Sequence, residues 1–225
     1  MNTVPPNVPV IAIDGPSASG KGTVAQKVAQ SLGFHYLDSG ALYRLVTLAA
    51  LKRGVSVDDE AGLEETARDM KVEFRDGATW LYGADVTQEV RTEAVSVATS
   101  RVAANPAVRR ALLTRQRGFL RLPGLVADGR DMGSVVFPEA SLKVYLTADV
   151  ATRAERRYKQ LMEKGMYAKM EDVVEDLRRR DARDSSRAVA PLKHYPDAIF
   201  LDTTGLAADA AVQKILDWWR ERASR

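Results

Sequence analysis

A short apolar stretch, Val8-Pro-Val-Ile-Ala-Ile13, runs directly into Asp14-Gly15-Pro-Ser-Ala-Ser-Gly20-Lys21-Gly22-Thr23. Its β-branched residues and lack of polar alternation predict a strand buried on both faces. Beyond the loop, Val24, Val28 and Leu32 fall at helical spacing, so Thr23–Leu32 is expected to be an amphipathic helix. Strand, glycine loop and helix in that order constrain the chain strongly. The loop amides can turn inward around a phosphate, the helix N-terminus adds partial positive charge, and Lys21 supplies a full one. By composition alone, G-x-x-x-x-G-K arises by chance in roughly one chain in 15 of this length, so the flanking strand and helix decide the reading.

The motif is a P-loop, and Gly15, Pro16, Ser17, Ala18, Ser19, Gly20, Lys21, Gly22 and Thr23 are its expected ATP-binding residues. It departs from most P-loops at Gly22, where a Ser or Thr would ordinarily ligate magnesium. The Gly-Lys-Gly-Thr ending is similar to that of nucleoside monophosphate kinases. A metal would then need another carboxylate. Gly124-Leu-Val-Ala-Asp128 is an apolar strand ending in an acid, and in P-loop proteins a carboxylate at that place holds magnesium directly or through water. Asp128 is the expected metal residue, through water.

The rest of the chain alternates strands and helices. Strands are expected at Gly33–Leu37, Gly124–Asp128, Leu142–Leu146 and Ala198–Asp202, and helices at Ala41–Leu51, Glu93–Ala104, Pro106–Leu122, Val150–Glu163 and Glu171–Arg180. A last helix carries Val212, Ile215, Leu216 and Trp219 on its core face. Alternation with a first strand feeding a P-loop predicts an α/β, three-layer α/β/α P-loop NTPase fold with a five-stranded parallel sheet. Between Lys71 and Val90 the pattern changes to short alternating runs around Asp76-Gly77, a small antiparallel β unit. Between Arg153 and Arg187 the arginines 153, 156, 157, 178, 179, 180, 183 and 187 interleave with acids. A solvated charged helix pair is one reading; a mobile lid closing over a polyphosphate is the other. One kinase domain is therefore expected, with a core over about 8–70, 91–152 and 188–225, the β unit at about 71–90 and the lid at about 153–187.

With 225 residues and 45% hydrophobic content the chain can bury a sizeable core. The net charge of +3 comes from 33 bases among 30 acids without a long block of either sign, so nucleic-acid binding is disfavoured. No run of about 18 apolar residues occurs, and residues 1–8 lack a signal-peptide pattern, so a flexible lead-in and no membrane partner are expected. The absence of cysteine excludes thiolate chemistry and fits a cytoplasmic protein. No Asn/Thr-Lys-x-Asp guanine signature is present, which argues against a GTPase switch.

Four segments together resemble bacterial cytidylate kinases: Gly15–Thr23, Leu37-Asp-Ser-Gly-Ala-Leu-Tyr-Arg44, Asp128-Gly-Arg-Asp-Met-Gly133 and Arg180-Asp-Ala-Arg-Asp-Ser-Ser-Arg-Ala-Val-Ala-Pro191. The resemblance covers nearly the whole chain. It implies transfer of the γ-phosphoryl group of ATP to CMP or dCMP with Mg2+, by a monomer. Lys21, Arg130 and Arg187 would then be catalytic, and Arg157 would join the ATP site. Arg44, Arg130 and Arg187 would bind the acceptor phosphate, Ser100, Arg109 and Asp131 would read cytosine, and Arg180 and Asp184 would face the sugar. Ser39 and Tyr43 complete the implied substrate site, and the 71–90 unit would be the insert near it. The alternative is a P-loop kinase for another small acceptor such as UMP.

Overall fold

Val10, Ile11, Ala12 and Ile13 are all buried, and the reason is their central place in a sheet. The computed structural model describes residues 8–75 and 77–223. Most of the expected N-terminal lead-in, and Asp76 of the expected turn, lie outside the described residues. β1 (Val10–Asp14) pairs in parallel with β6 (Leu125–Gly129) on one side and β7 (Leu142–Thr147) on the other. β7 pairs in parallel with β8 (Ile199–Asp202), and β2 (His35–Asp38) completes a five-stranded sheet of order β2-β6-β1-β7-β8. The expected five-stranded parallel α/β sheet is the one observed.

Side chains alternate along β1. Ile11 and Ile13 join a core built with Val24, Val28 and Ala29 of α1 (Lys21–Leu32) and Val212, Ile215 and Leu216 of α8 (Ala208–Ala223). Ala12 faces the other way. There the ordered turn Met132–Val136, wound as a single π-helical turn, brings Gly133 close to it. α6 (Val150–Glu163) and α7 (Met170–Ser185) pack on each other through Ala154, Leu161, Val173 and Leu177. α6 begins where its sequence pattern places it, with Asp149 capping Thr152 N. α7 is longer than expected and carries Asp181 and Asp184 in its last turns.

The contacts divide the chain into two compact units: the chain up to Leu37 with everything from Phe119 onward, and Asp38–Gly118. The second unit contains α2 (Ser39–Lys52), α3 (Glu60–Asp69), a three-stranded antiparallel sheet, α4 (Glu93–Val102) and α5 (Pro106–Arg117). Its sheet is β3 (Val72–Arg75), β4 (Ala78–Leu81) and β5 (Ala84–Asp85), the β unit expected from the alternating pattern. α3 is a helix that the sequence reading passes over. Its signal is there, with Asp59 capping Gly62 N and Leu63, Thr66, Ala67 and Met70 buried at helical spacing. α5 ends at Arg117, short of the expected end at Leu122.

Candidate functional site

The phosphate loop is shaped by what holds it from outside. A Cβ on Gly15 would stand 1.9 Å from Leu146 O, so only glycine lets the chain leave β1 so close to β7. At the other end, Gly20 (φ +90°) starts α1 without a side-chain cap, leaving the N-terminal amides of the helix for an anion. Arg153 of α6 donates to Ser17 O at 3.2 Å, and Arg156 donates to Ser19 O at 2.9 Å. Thr203 Oγ1 lies 3.3 Å from Ser19 O and 2.9 Å from Thr147 O. A trans peptide sets its N–H opposite its C=O, so tying back these carbonyls turns the Ala18 and Gly20 amides the other way. Lys21 is buried, with Nζ donating to Pro16 O at 3.0 Å.

Sequence reasoning missed that Arg153, Arg156 and Thr203 contact carbonyls of the phosphate loop. The two arginines belong to the charged 153–187 segment, and both donate to carbonyls of the phosphate loop. Arg156 also donates to Thr203 O at 2.8 Å, fastening the end of β8 to the same point. A signal existed in their spacing: residues 153 and 156 share one helical face just after a strand beside the P-loop.

A second cluster follows β6. Asp128 is buried, accepts from Tyr36 Oη at 2.9 Å, and has Oδ2 3.2 Å from the place of a Cβ on Gly22. A serine or threonine at 22 would press on that carboxylate, which accounts physically for the departure from the usual P-loop ending. Among the described residues no group of three or more His, Cys, Asp or Glu could hold a metal unaided. A lone carboxylate at the helix start fits magnesium, which takes one or two protein carboxylates and completes its shell with phosphate oxygens and water.

Arg130 is half-buried. Its Nη2 donates to Ser17 Oγ at 2.9 Å and its Nε to Asp184 Oδ2 at 2.8 Å. Arg187 pairs with the other oxygen of Asp184. Burial pushes the Asp184 carboxyl up, but Arg130 and Arg187 more than offset it and hold the group below the usual carboxylate range. Asp181, one turn earlier on α7, pairs with Arg153 at 2.7 Å. Ser17 therefore receives Arg130 on its hydroxyl and Arg153 on its carbonyl, and both arginines are anchored to α7. Of the remaining sequence-predicted residues, Arg180 lies near enough to Asp184 to help hold its charge, and Arg157 is half-buried on α6. Arg179 pairs with Glu175 on an exposed face, as a solvated helix would.

Asp14, at the end of β1, also belongs to this cluster. Its two oxygens accept Met132 N at 2.8 Å and Gly133 N at 2.9 Å. Burial pushes its pKa up to about 7; the two amide bonds and Arg130 act against the rise, and Asp131 adds to it. Asp131 itself is buried.

In the second unit, Asp38 caps α2 through Ala41 N at 2.9 Å and pairs with Arg44 at 3.2 Å. Arg44 thus has a local carboxylate partner. Ser39 Oγ accepts from Gln116 at 3.0 Å. Arg109, on α5, is buried; it donates to Ala103 O at 3.1 Å and stands 5.8 Å over the Tyr43 ring. A merely solvated helix arginine would not be placed so. Among the described residues, Ser100 Oγ is buried without a hydrogen-bond partner, as suits a hydroxyl that meets a ligand.

A parallel sheet, a P-loop and arginines converging on it define a phosphotransferase of the P-loop class. The family model for cytidylate kinase matches residues 11–221. The chain belongs to the cytidylate kinase family. It is 58% identical to the cytidylate kinase of Chromobacterium violaceum over 96% of this chain and 97% of that one. It is likewise 58% identical to the cytidylate kinase of Nitrosomonas europaea, over 96% of each chain. Among solved structures, TT1252 from Thermus thermophilus aligns over 94% of this chain and 98% of its own, with 20% identity and a TM-score of 0.46.

Proposed function

We propose that this chain transfers the γ-phosphoryl group of ATP to CMP or dCMP, giving ADP and CDP or dCDP. The reading is carried by one observation above the others: Arg130 is bonded to Ser17 of the phosphate loop itself. A guanidinium fixed to the donor-phosphate loop and shared with Asp184 stands where an acceptor phosphate would have to approach the γ-phosphoryl group.

The attacking group is already a phosphate oxygen, so no side chain needs to act as a strong base. Catalysis is positioning and charge stabilisation. The loop amides and the start of α1 hold the ATP phosphates, with Lys21 following the oxygens of the transferring group. Magnesium, when bound, neutralises phosphate charge, and Asp128 is the residue that would orient it through water. Arg44, Arg130 and Arg187 take the acceptor phosphate by their planar forks. Ser100, Arg109 and Asp131 read the base, and Arg180 and Asp184 face the sugar. The 71–90 unit serves the acceptor nucleotide, and α6–α7 acts as the lid. The chain acts as a monomer in this reading. A cysteine-free, ATP-dependent enzyme of this kind works in the cytoplasm.

Coupled ADP release measured across CMP, dCMP, UMP, AMP, GMP and shikimate tests the reading. CMP and dCMP are expected to dominate; a better rate with any other acceptor overturns it.

A further inference from the structure

We propose that Asp14 is a positioning residue for base selection: from β1 it caps the Met132–Val136 turn in place of Asp131, and so fixes where the Asp131 carboxylate stands. The inference rests on the reading that Asp131 reads the base.

A helical turn begins with amides that lack an acceptor within it. An aspartate just before the first turn ordinarily serves them with its own side chain. Asp131 occupies that position, yet it makes no side-chain cap bond and its backbone is outside the helical region, with φ −148° and ψ 23°. The main chain of Asp131 does join the turn, its carbonyl accepting from Val135 N at 2.9 Å and Val136 N at 3.2 Å. The capping is done instead by Asp14, whose two oxygens take Met132 N and Gly133 N at 2.8 and 2.9 Å across more than a hundred residues of sequence. Asp131 therefore contributes its backbone to the turn while its side chain has no capping duty.

The turn has little room to settle elsewhere. Met132 is fully buried, and a Cβ on Gly133 would meet Lys143 at 3.2 Å and Ala12 at 3.4 Å. Pinned there, the turn owes its orientation to the two-point grip of Asp14, and Asp131 is the residue immediately before it. Burying a carboxylate for this task is unfavourable, as the raised pKa of Asp14 shows. A neutral hydroxyl would cap one amide at less expense. What it would not do is fix two successive amides with one rigid, planar group.

The test compares wild type, Asp14→Asn and Asp131→Ala at pH 8, where Asp14 is mostly ionised. Asparagine offers one carbonyl oxygen and turns an NH2 group toward the second amide, donor against donor. In Asp14→Asn the CMP-over-UMP ratio of kcat/KM is expected to fall by about tenfold or more, with KM for CMP rising. KM for ATP should change by less than about threefold, a split that general loosening of the fold does not produce. If Asp131→Ala collapses the ratio and Asp14→Asn leaves it intact, the base reading stands and the inference is overturned. A rise in KM for ATP equal to that for CMP overturns it as well. If both variants keep the wild-type ratio, the base reading fails and the inference falls with it. Should Asp14→Asn not fold, Asp14→Ser, smaller and able to accept one of the two bonds, is measured by the same criteria.

Discussion

Arg130 Nε donates to Asp184 Oδ2 at 2.8 Å, and this bond ties the arginine to α7. With Arg187 on the other oxygen, two guanidiniums share one buried carboxylate. Asp184→Asn removes the carboxylate charge that both guanidiniums contact. Removing one partner of such a buried pair costs about 3–5 kcal/mol, which urea unfolding will register. Added CMP should restore part of the loss, since an anion takes over the missing charge. The carboxyl is held below its ordinary value, so this contribution is present above about pH 4 and is lost as pH falls through the folded value. An unchanged urea midpoint would show the pair to be dispensable.

Lys21 should act on the transition state more than on binding. It is buried in the loop, and its charge can follow the oxygens of the transferring group. Lys21→Ala should lower kcat by roughly 100-fold or more, the range for removing one electrostatic stabiliser, with a smaller loss of ATP affinity. A near-normal kcat with only a raised KM would mean that the lysine supplies uniform binding.

Asp128 should matter through magnesium. Asp128→Asn keeps the shape and the Tyr36 contact while removing the charge. The magnesium concentration for half-maximal rate should rise, by about tenfold. A titration that superimposes on wild type assigns the metal role elsewhere.

The sheet and the phosphate loop were legible because each local pattern has one physical reading. A double-sided apolar strand such as Val10–Asp14 is central, and a glycine loop before an amphipathic helix leaves its amides for an anion. Asp14 was not legible. Nothing in Ile13-Asp14-Gly15 announces that its side chain serves amides beyond residue 130, because a long-range cap leaves no local spacing. Arg153 and Arg156 failed for a related reason: an arginine aimed at backbone carbonyls looks the same in sequence as one aimed at phosphate or water. Nothing in the local sequence around Arg109 shows whether its side chain is solvated or buried; in the fold it is buried beside Tyr43.

Asp14 should leave a mark on the pH dependence of stability. Its folded pKa is raised to about 7 from 3.8, so the folded state binds the proton more tightly than the unfolded chain. The stabilising effect of that proton is full below about pH 4 and is lost as pH rises through about 7, a total loss on the order of 4 kcal/mol. Replacement by Asn removes the titration. The stability of wild type relative to Asp14→Asn should therefore decline from pH 4.5 to pH 8 in urea unfolding. A difference that stays constant across that range would show that Asp14 titrates normally in the folded protein.

Arg109 offers the sharpest test of how the base is chosen. Cytosine carries an amino donor at N4 and an acceptor at N3, and uracil reverses both. If, as proposed, Asp131 accepts from N4 and Arg109 donates to N3 or O2, UMP would set acceptor against acceptor and donor against donor. A buried site with its polar groups opposed in this way can reject the wrong ligand by on the order of 10⁴-fold. Strong preference for CMP and dCMP over UMP is expected. Arg109 is buried, donating to Ala103 O at 3.1 Å, and Arg109→Met keeps an unbranched apolar stem while removing the guanidinium and its donors. The CMP-over-UMP ratio of kcat/KM should fall by well over tenfold, with ATP binding near normal. If the ratio is unchanged while the variant unfolds at a lower temperature, Arg109 is a structural brace for the end of α4, and base selection lies with other residues.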